Sequence, residues 1–284
     1  MPSPMTLHVA PDIDFGGACE IGTVREENQD SIRLPDGRLP VERGLLFGLA
    51  DGMGGCAHGK LASSLALEVL FEQFYGVRAS IPRSLGRGIA SANTRVFKAA
   101  QGLGPARMGT TLTAVGIRGG ELYLGHVGDS RAYLVREGAA ICLTNDHTDV
   151  GELVRMRVLA PDKVRTHAQR SILNRAVGIG LFVRPDVRHL RLRDGDGVVI
   201  CSDGLWSVIE DEDIGAMAAC GDDPAESSAR RLLGAALERG SDDNISVIVI
   251  HVKKAASARP KPEAGQGPFG AVRRRLYLPR SSND

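Results

Sequence analysis

The chain has 284 residues, 43% of them apolar, and a formal net charge of +1. The apolar content suffices for one large core or two small ones, and the near-neutral charge excludes a general attraction to nucleic acid or anionic membranes. No apolar run reaches the ~18 residues of a membrane span and no signal peptide is predicted; with 5 scattered cysteines and no C-x-x-C spacing, neither a disulfide framework nor a zinc site is expected, and the cytoplasm is the expected location.

Residues 1–14 are polar and broken by proline, and read as a loose arm. A first strand is predicted over 15–21, then a polar loop from Gly22 to Ser31 that contains Arg25 and Asp30. The stretch 44–55 organises the rest. Leu45, Leu46, Phe47, Leu49 and Ala50 form a short apolar run bounded by turn formers, the pattern of a buried strand, and it stops at Asp51. Gly52, Gly54 and Gly55 follow, so the backbone can turn sharply and approach a ligand closely. A helix is predicted from about 59 to 74, with an apolar stripe of Leu61, Leu65 and Val69 beside a row of Ala62, Ala66 and Leu70. A second runs from about 82 to 100, with Pro82 in its first turn.

Strands resume at 110–117 and 121–127 around the Gly119-Gly120 turn, and at 132–136 and 140–143 after Gly128-Asp129-Ser130-Arg131. Residues 145–177 are polar, basic and weakly helical with few apolar side chains, and read as a mobile segment over the sheet. As a flap beside a cleft, it would offer Arg155 and Arg157 to a substrate. Further strands are predicted at 187–192 and 198–202. Asp223-Pro224-Ala225-Glu226 has the arrangement of a capping box. The helix it opens ends at Gly240 and buries Ala229, Leu232, Leu233, Ala236 and Leu237. The last predicted strand, 245–250, follows Asp242-Asp243-Asn244. From Ala255 the prolines, glycines and Arg273-Arg274-Arg275 mark a disordered basic tail, leaving one domain over 15–254. Hairpins dominate over βαβ alternation, so the fold class is α+β, antiparallel sheets covered by helices.

Three predicted strand ends carry an aspartate: Asp51, Asp203 and Asp243. If those ends lie together, the carboxylates converge, repel and raise one another's pKa. A cluster kept ionised near neutral pH implies a cation among them, and all-oxygen ligation favours Mg or Mn over Zn.

Taken together, Val24-Arg25-Glu26-Glu27-Asn28-Gln29-Asp30, Ala50-Asp51-Gly52-Met53-Gly54-Gly55, Met108-Gly109-Thr110-Thr111, Val127-Gly128-Asp129-Ser130-Arg131, Leu143-Thr144-Asn145-Asp146-His147-Thr148, Ser202-Asp203-Gly204-Leu205-Trp206 and Asp243-Asn244 resemble the metal-dependent protein phosphatases (PPM, type 2C), in particular the bacterial single-domain members. The resemblance covers about residues 15–252. It implies a four-layer sandwich of two antiparallel sheets between helix pairs, with two Mn or Mg ions at one end. Asp51 would bridge both ions, the Gly52 carbonyl would ligate one, Asp203 and Asp243 would hold the first, and Asp30 would act near the second through water. Arg25 would grip the substrate phosphate with its guanidinium fork. A water bridging the metals would attack phosphorus in line, hydrolysing phosphoserine or phosphothreonine in a phosphoprotein and opposing a Ser/Thr kinase. His147 lies in a matched motif beside the flap and is a candidate substrate contact.

The chain departs from the family in places. Met53 stands where eukaryotic members often have His, and Ser207 where the family commonly has the Asp that helps Asp129 hold a third ion, which leaves that third ion open. Two rival readings are weighed. Gly54 to Lys60 satisfies G-x-x-x-x-G-K, but Leu61 replaces the required Ser or Thr and the pattern lacks a parallel sheet. A catalytically dead family member acting as a binding platform is opposed by the retention of Asp30, Asp51, Asp203 and Asp243. His126 and His251 read as structural, Trp206 as packing under the cleft, Lys60 as a solvated helix residue, and the protein as a monomer.

Overall fold

Among the described residues the apolar runs become ten strands in two five-stranded antiparallel sheets. This is a computed structural model, and it describes residues 12–36, 43–53, 58–103 and 108–255. The predicted arm up to residue 11, the glycines Gly54 and Gly55, and the basic tail from residue 256 lie outside the described residues.

One sheet has the order β1 (Asp12–Glu20), β10 (Ile245–Lys254), β9 (Asp196–Cys201), β6 (Arg131–Arg136), β7 (Ala139–Cys142). The other runs β2 (Ser31–Arg33), β3 (Leu45–Ala50), β4 (Leu112–Arg118), β5 (Glu121–Val127), β8 (Asp186–Arg191). Helices α1 (Gly59–Gly76) and α2 (Ile81–Gly102) cover the second sheet; α4 (Asp203–Trp206), α5 (Asp211–Met217) and α6 (Ala225–Glu238) cover the first. The short α3 (Asp149–Arg155) lies in the 145–177 segment.

Each central strand is buried on both faces, which is why its sequence reads as an unbroken apolar run. In β3, Phe47 and Leu49 face the opposite sheet while Leu46 and Ala50 face α1 and α2. In β10, Ile248, Ile250 and Val252 face between the sheets and Val247 and Val249 face the helices. The four-layer α-β-β-α expectation is met, with sheets stacked through Phe47, Val115, Leu124, Ile200 and Ile250.

Several local expectations are corrected. The first strand begins at Asp12, inside the predicted arm, because it pairs along the whole of β10 from Asp12↔Lys254 to Glu20↔Ile245. On α1 the buried row is Ala62, Ala66, Leu67, Leu70 and Phe71, while Leu61 is 46% exposed. The predicted row of Ala62, Ala66 and Leu70 is the buried one, while Leu65 and Val69 of the row beside it sit only partly buried at its margin. The capping box does not form. Pro224 is the N-cap, so Glu226 falls one position short of N3, and the Ala225 N–H is taken instead by Asp14 Oδ2 of β1 at 2.9 Å. The 145–177 segment is better anchored than its composition promised: Val150, Val164 and Val177 are buried, and Thr148 pairs with Leu173.

Candidate active site

The carboxylates converge at one end of the stacked sheets, contributed by both of them. Asp51 leaves the end of β3 in one sheet, while Asp203 follows β9 and Asp243 precedes β10 in the other. Asp30 enters from the loop before β2, and Asp129 from the β5–β6 connection.

Asp51 is fixed through its backbone. Its N–H donates to Thr111 Oγ1 at 2.9 Å, and its carbonyl accepts from the Thr111 N–H and the Thr110 hydroxyl, both at 2.8 Å. With both backbone groups held, the carboxylate is aimed by the strand end. Gly52 then passes between two chains: a methyl group there would lie 2.4 Å from the Gly59 carbonyl oxygen and 2.7 Å from that of Gln29. Only glycine fits so close an approach.

Asp30 is fully buried, and neither of its carboxylate oxygens has a hydrogen-bond donor. Its loop is clamped from the far end of the chain. Asn244 Oδ1 accepts from the Gln29 N–H at 2.9 Å, and its Nδ2 donates to the Ile21 carbonyl at 2.8 Å and the Glu27 carbonyl at 3.1 Å. Lys60 donates to the Asp30 carbonyl and to Ser31 Oγ, so it braces this loop and is not merely a solvated helix residue. Asp129 is tied to the helix that begins at Asp203: Trp206 Nε1 donates to the Asp129 carbonyl at 2.9 Å, and Arg131 stacks on the Trp206 ring at 3.6 Å. Trp206 is thus a core residue under the cleft, as expected.

Burial and mutual repulsion act on these carboxylates together. Burial, then the charges of Asp30, Asp203, Asp129 and Asp243, holds Asp51 well above the usual carboxylate range. Burial and the neighbouring Asp243 and Asp30 push Asp203 up to about 7. Burial pushes Asp30 up to about 6; the Ser246 and Ser202 hydroxyls temper that rise without reaching hydrogen-bond geometry. Burial, followed by Asp203 and Asp146, raises Asp129 well above its ordinary value. An all-oxygen set of buried and half-buried carboxylates, one lacking any donor, fits a hard divalent cation. Among the described residues no three such side chains already stand in ligating geometry. Asp243, which would complete a set, is turned onto Arg25, with Nε to Oδ1 at 2.9 Å and a terminal nitrogen to Oδ2 at 2.7 Å.

The other predicted residues fall outside the cluster. His147 is buried at 2% exposure behind the Asp129 loop, where its Nδ1 accepts from the Gly128 N–H at 3.0 Å. Burial and then the Arg175 guanidinium lower its pKa, and its Nε2 lies 3.0 Å from an Arg175 terminal nitrogen and 3.4 Å from Asp186 Oδ2. It braces the loop and is not placed to touch a protein substrate, which corrects that expectation. Arg155 and Arg157 lie at the exposed end of α3, Arg155 pairing with Glu152. His126 is buried in β5 and bonds Thr113 Oγ1 at 2.9 Å, in keeping with a structural role. Both sheets are wholly antiparallel, so the parallel unit that a phosphate-binding G-x-x-x-x-G-K loop needs is absent among the described residues. Asn244, Lys60, Thr110 and Thr111 are not assigned site roles by sequence reasoning; each is a polar residue inside a quoted motif, and that membership is the available signal.

Residues 17–245 match the profile of the family described as Protein phosphatase 2C. The chain is 36% identical to the serine/threonine protein phosphatase PstP of Mycobacterium tuberculosis over 84% of its own length and 45% of that protein's. It is 32% identical to a putative protein phosphatase 2C-type of Streptococcus pyogenes, covering 82% of this chain and 94% of that one. The chain therefore spans about half the length of the mycobacterial relative. Among solved structures, that of the Mycobacterium tuberculosis serine/threonine phosphatase PstP/Ppp superposes with a TM-score of 0.75 at 32% identity, over 86% of this chain and 100% of that one. A PstP catalytic domain in complex with 2 manganese ions superposes with a TM-score of 0.72 at 31% identity, over 84% of this chain and 97% of that one.

Proposed function

The chain belongs to the protein phosphatase 2C family, and from that we propose that it is a metal-dependent protein serine/threonine phosphatase. The observation that carries the reading is the convergence of the buried Asp30 and Asp129 with the half-buried Asp51 and Asp203, mutually repelling, with both Asp30 oxygens unpartnered. Asp51, Asp203, Asp243, Asp30 and the Gly52 carbonyl would hold two Mn or Mg ions, and Asp129 is the candidate for a third. When bound, such ions supply charge neutralisation at the phosphoryl group and activation of the attacking water.

The chain's own residues prepare that chemistry. Thr110, Thr111 and Asn244 hold the ligand-bearing backbone in place before any substrate arrives, so little reorganisation is left for the reaction. Arg25 lies at the rim and carries a planar fork suited to two phosphate oxygens. Met53 offers no proton, so the leaving alkoxide is not protonated by a side chain directly after Gly52. The substrates are phosphoproteins carrying phosphoserine or phosphothreonine, and a Ser/Thr kinase would be the opposing enzyme. The protein acts as a cytoplasmic monomer in this reading; no helix among the described residues is long and apolar enough to cross a membrane.

Phosphate release from p-nitrophenyl phosphate and from phosphothreonine peptides, with Mn, Mg or chelator, tests the proposal. Turnover that needs added metal supports it. Preference for ATP would favour a nucleotidase, and inertness with every substrate would favour a binding platform.

A further inference from the structure

Residues 178–184 run from the site toward β8 and present an unusual surface. Ile179 is 44% exposed, Leu181 54% and Phe182 88%. Three neighbouring apolar side chains in water, one of them aromatic, are what an interaction surface shows and a solvated loop does not need.

The loop that carries them is built, not loose. Asn93, on α2 and 1% exposed, spends its whole side chain on it. Its Oδ1 accepts from the Gly178 N–H at 2.8 Å, and its Nδ2 donates to the Gly180 carbonyl at 2.9 Å and the Leu181 carbonyl at 3.2 Å. Arg175 donates to the Arg184 carbonyl at 3.0 Å and closes the other end. Gly178 has φ +90, and a methyl group there would meet Val96 Cγ1 at 2.3 Å, so the turn is seated directly on α2.

The same loop is stitched to the candidate active site. Val177 and Thr110 exchange both backbone hydrogen bonds, at 3.0 and 2.9 Å, and the Thr110 hydroxyl donates to the Asp51 carbonyl. Ile179 and Met53 both flank Gly109: a methyl group on that glycine would lie 2.7 Å from Ile179 Cδ1 and 2.7 Å from Met53 Sδ. Met53 is two residues beyond Asp51. The apolar surface is therefore continuous with the rim of the carboxylate cluster.

We propose that Ile179, Leu181 and Phe182 form a ledge that receives an apolar side chain flanking the phosphorylated residue of the protein substrate. The proposal rests on the phosphatase reading. A phosphorylated side chain that reaches the carboxylate cluster brings its own backbone across the rim, and residues beside it in sequence come within reach of the ledge. Because the loop is already fixed by Asn93 and Arg175, little ordering is left to oppose binding. Aromatic residues, Phe among them, are enriched at the cores of binding interfaces. A small substrate such as p-nitrophenyl phosphate carries no flanking residue and does not touch the ledge.

The test compares kcat/KM on phosphothreonine peptides in which each flanking position is in turn Leu or Ser, with p-nitrophenyl phosphate as control. Wild type should favour Leu over Ser at one or more positions by at least about fivefold, the size of one interface contact. Phe182→Ser combined with Leu181→Ser should abolish that preference while p-nitrophenyl phosphate turnover stays within about twofold, as surface changes seldom reach a buried site. Phe182→Leu should keep most of the preference. A wild type active on p-nitrophenyl phosphate but indifferent to flanking residues overturns the ledge alone. So does a preference that survives in the double variant, or a sedimentation profile in which the double variant dissolves a dimer and leaves the preference intact. A wild type that hydrolyses no phosphoester with Mn removes the phosphatase reading and the ledge with it.

Discussion

Arg25 holds both carboxylate oxygens of Asp243, and the Asn244 N–H donates to Oδ1 of the same group at 2.8 Å. The pair joins the loop before β2 to the start of β10, residues far apart in sequence. It also sets two proposed roles against each other, since Asp243 is assigned to a cation and Arg25 to a phosphate. A guanidinium and a dication repel when they share one carboxylate, so metal binding should loosen Arg25 and leave its fork free for substrate.

Arg25→Ala should therefore bind Mn more tightly than wild type when no phosphate is present. The pair is partly exposed, with side-chain exposures of 41% and 31%, so the gain should be modest, about 1.5- to 5-fold in Kd, the range of a solvent-exposed ion pair. The same variant should show raised KM for p-nitrophenyl phosphate and phosphopeptides alike. Calorimetric titration with Mn reads the first effect; weaker metal binding in the variant would show that Arg25 supports Asp243 as a ligand and does not compete for it.

Asp51→Asn removes one negative charge from the centre of the cluster. Activity should fall by at least about a hundredfold, comparable with loss of one strong electrostatic contact in a catalytic site. Melting should stay cooperative, because the backbone bonds to Thr110 and Thr111 are untouched. Near-normal Mn-dependent turnover would refute the bridging role.

Metal and protons should compete for the cluster. Asp30 at about 6 and Asp203 at about 7 are raised above the unfolded value of about 3.9. A raised carboxylate contributes stability that is complete below the unfolded pKa and is lost as pH rises through the folded one. Metal-free protein should thus lose melting temperature between about pH 4 and 7, and the rise in melting temperature given by Mn should grow over that window. His126, lowered by burial to about 3, works in the opposite direction below about pH 6.5, but equally with and without Mn, so the Mn increment reads the cluster alone. Melting curves with chelator and with Mn at several pH values check this; a Mn increment independent of pH would count against the cluster.

Neutralising Arg155 and Arg157 should change phosphopeptide kinetics and leave p-nitrophenyl phosphate turnover within about threefold, as both lie at the surface away from the carboxylates. Arg157 has φ 60, so Asn suits it better than Ala as a neutral replacement. Equal losses on both substrates would mean that α3 shapes the metal site itself.

The clustered aspartates at the strand ends were legible because each borders an apolar run that had to be a core strand. Asp51, Asp203 and Asp243 needed only the rule that such runs stop where polar chemistry starts. That they come from opposite sheets was not legible, since stacking is decided by side chains remote in sequence. Helices α4 and α5, of 4 and 7 residues, are too short to show a helical period and were missed. The capping box misled because its residue types were right and Pro224 shifted the helix start by one position. Asn93, Asn244 and Lys60 act through hydrogen bonds to residues distant in sequence, and such long-range polar contacts leave no periodic trace.

Strand β10 lies between β1 and β9, and Asp243 and Asn244 stand directly before it. A chain still emerging from a ribosome without β10 has no strand to join β1 to β9 and no clamp on the Asp30 loop. The carboxylate cluster is therefore complete only once synthesis has reached β10, and a product terminated before it would lack Asp243 altogether.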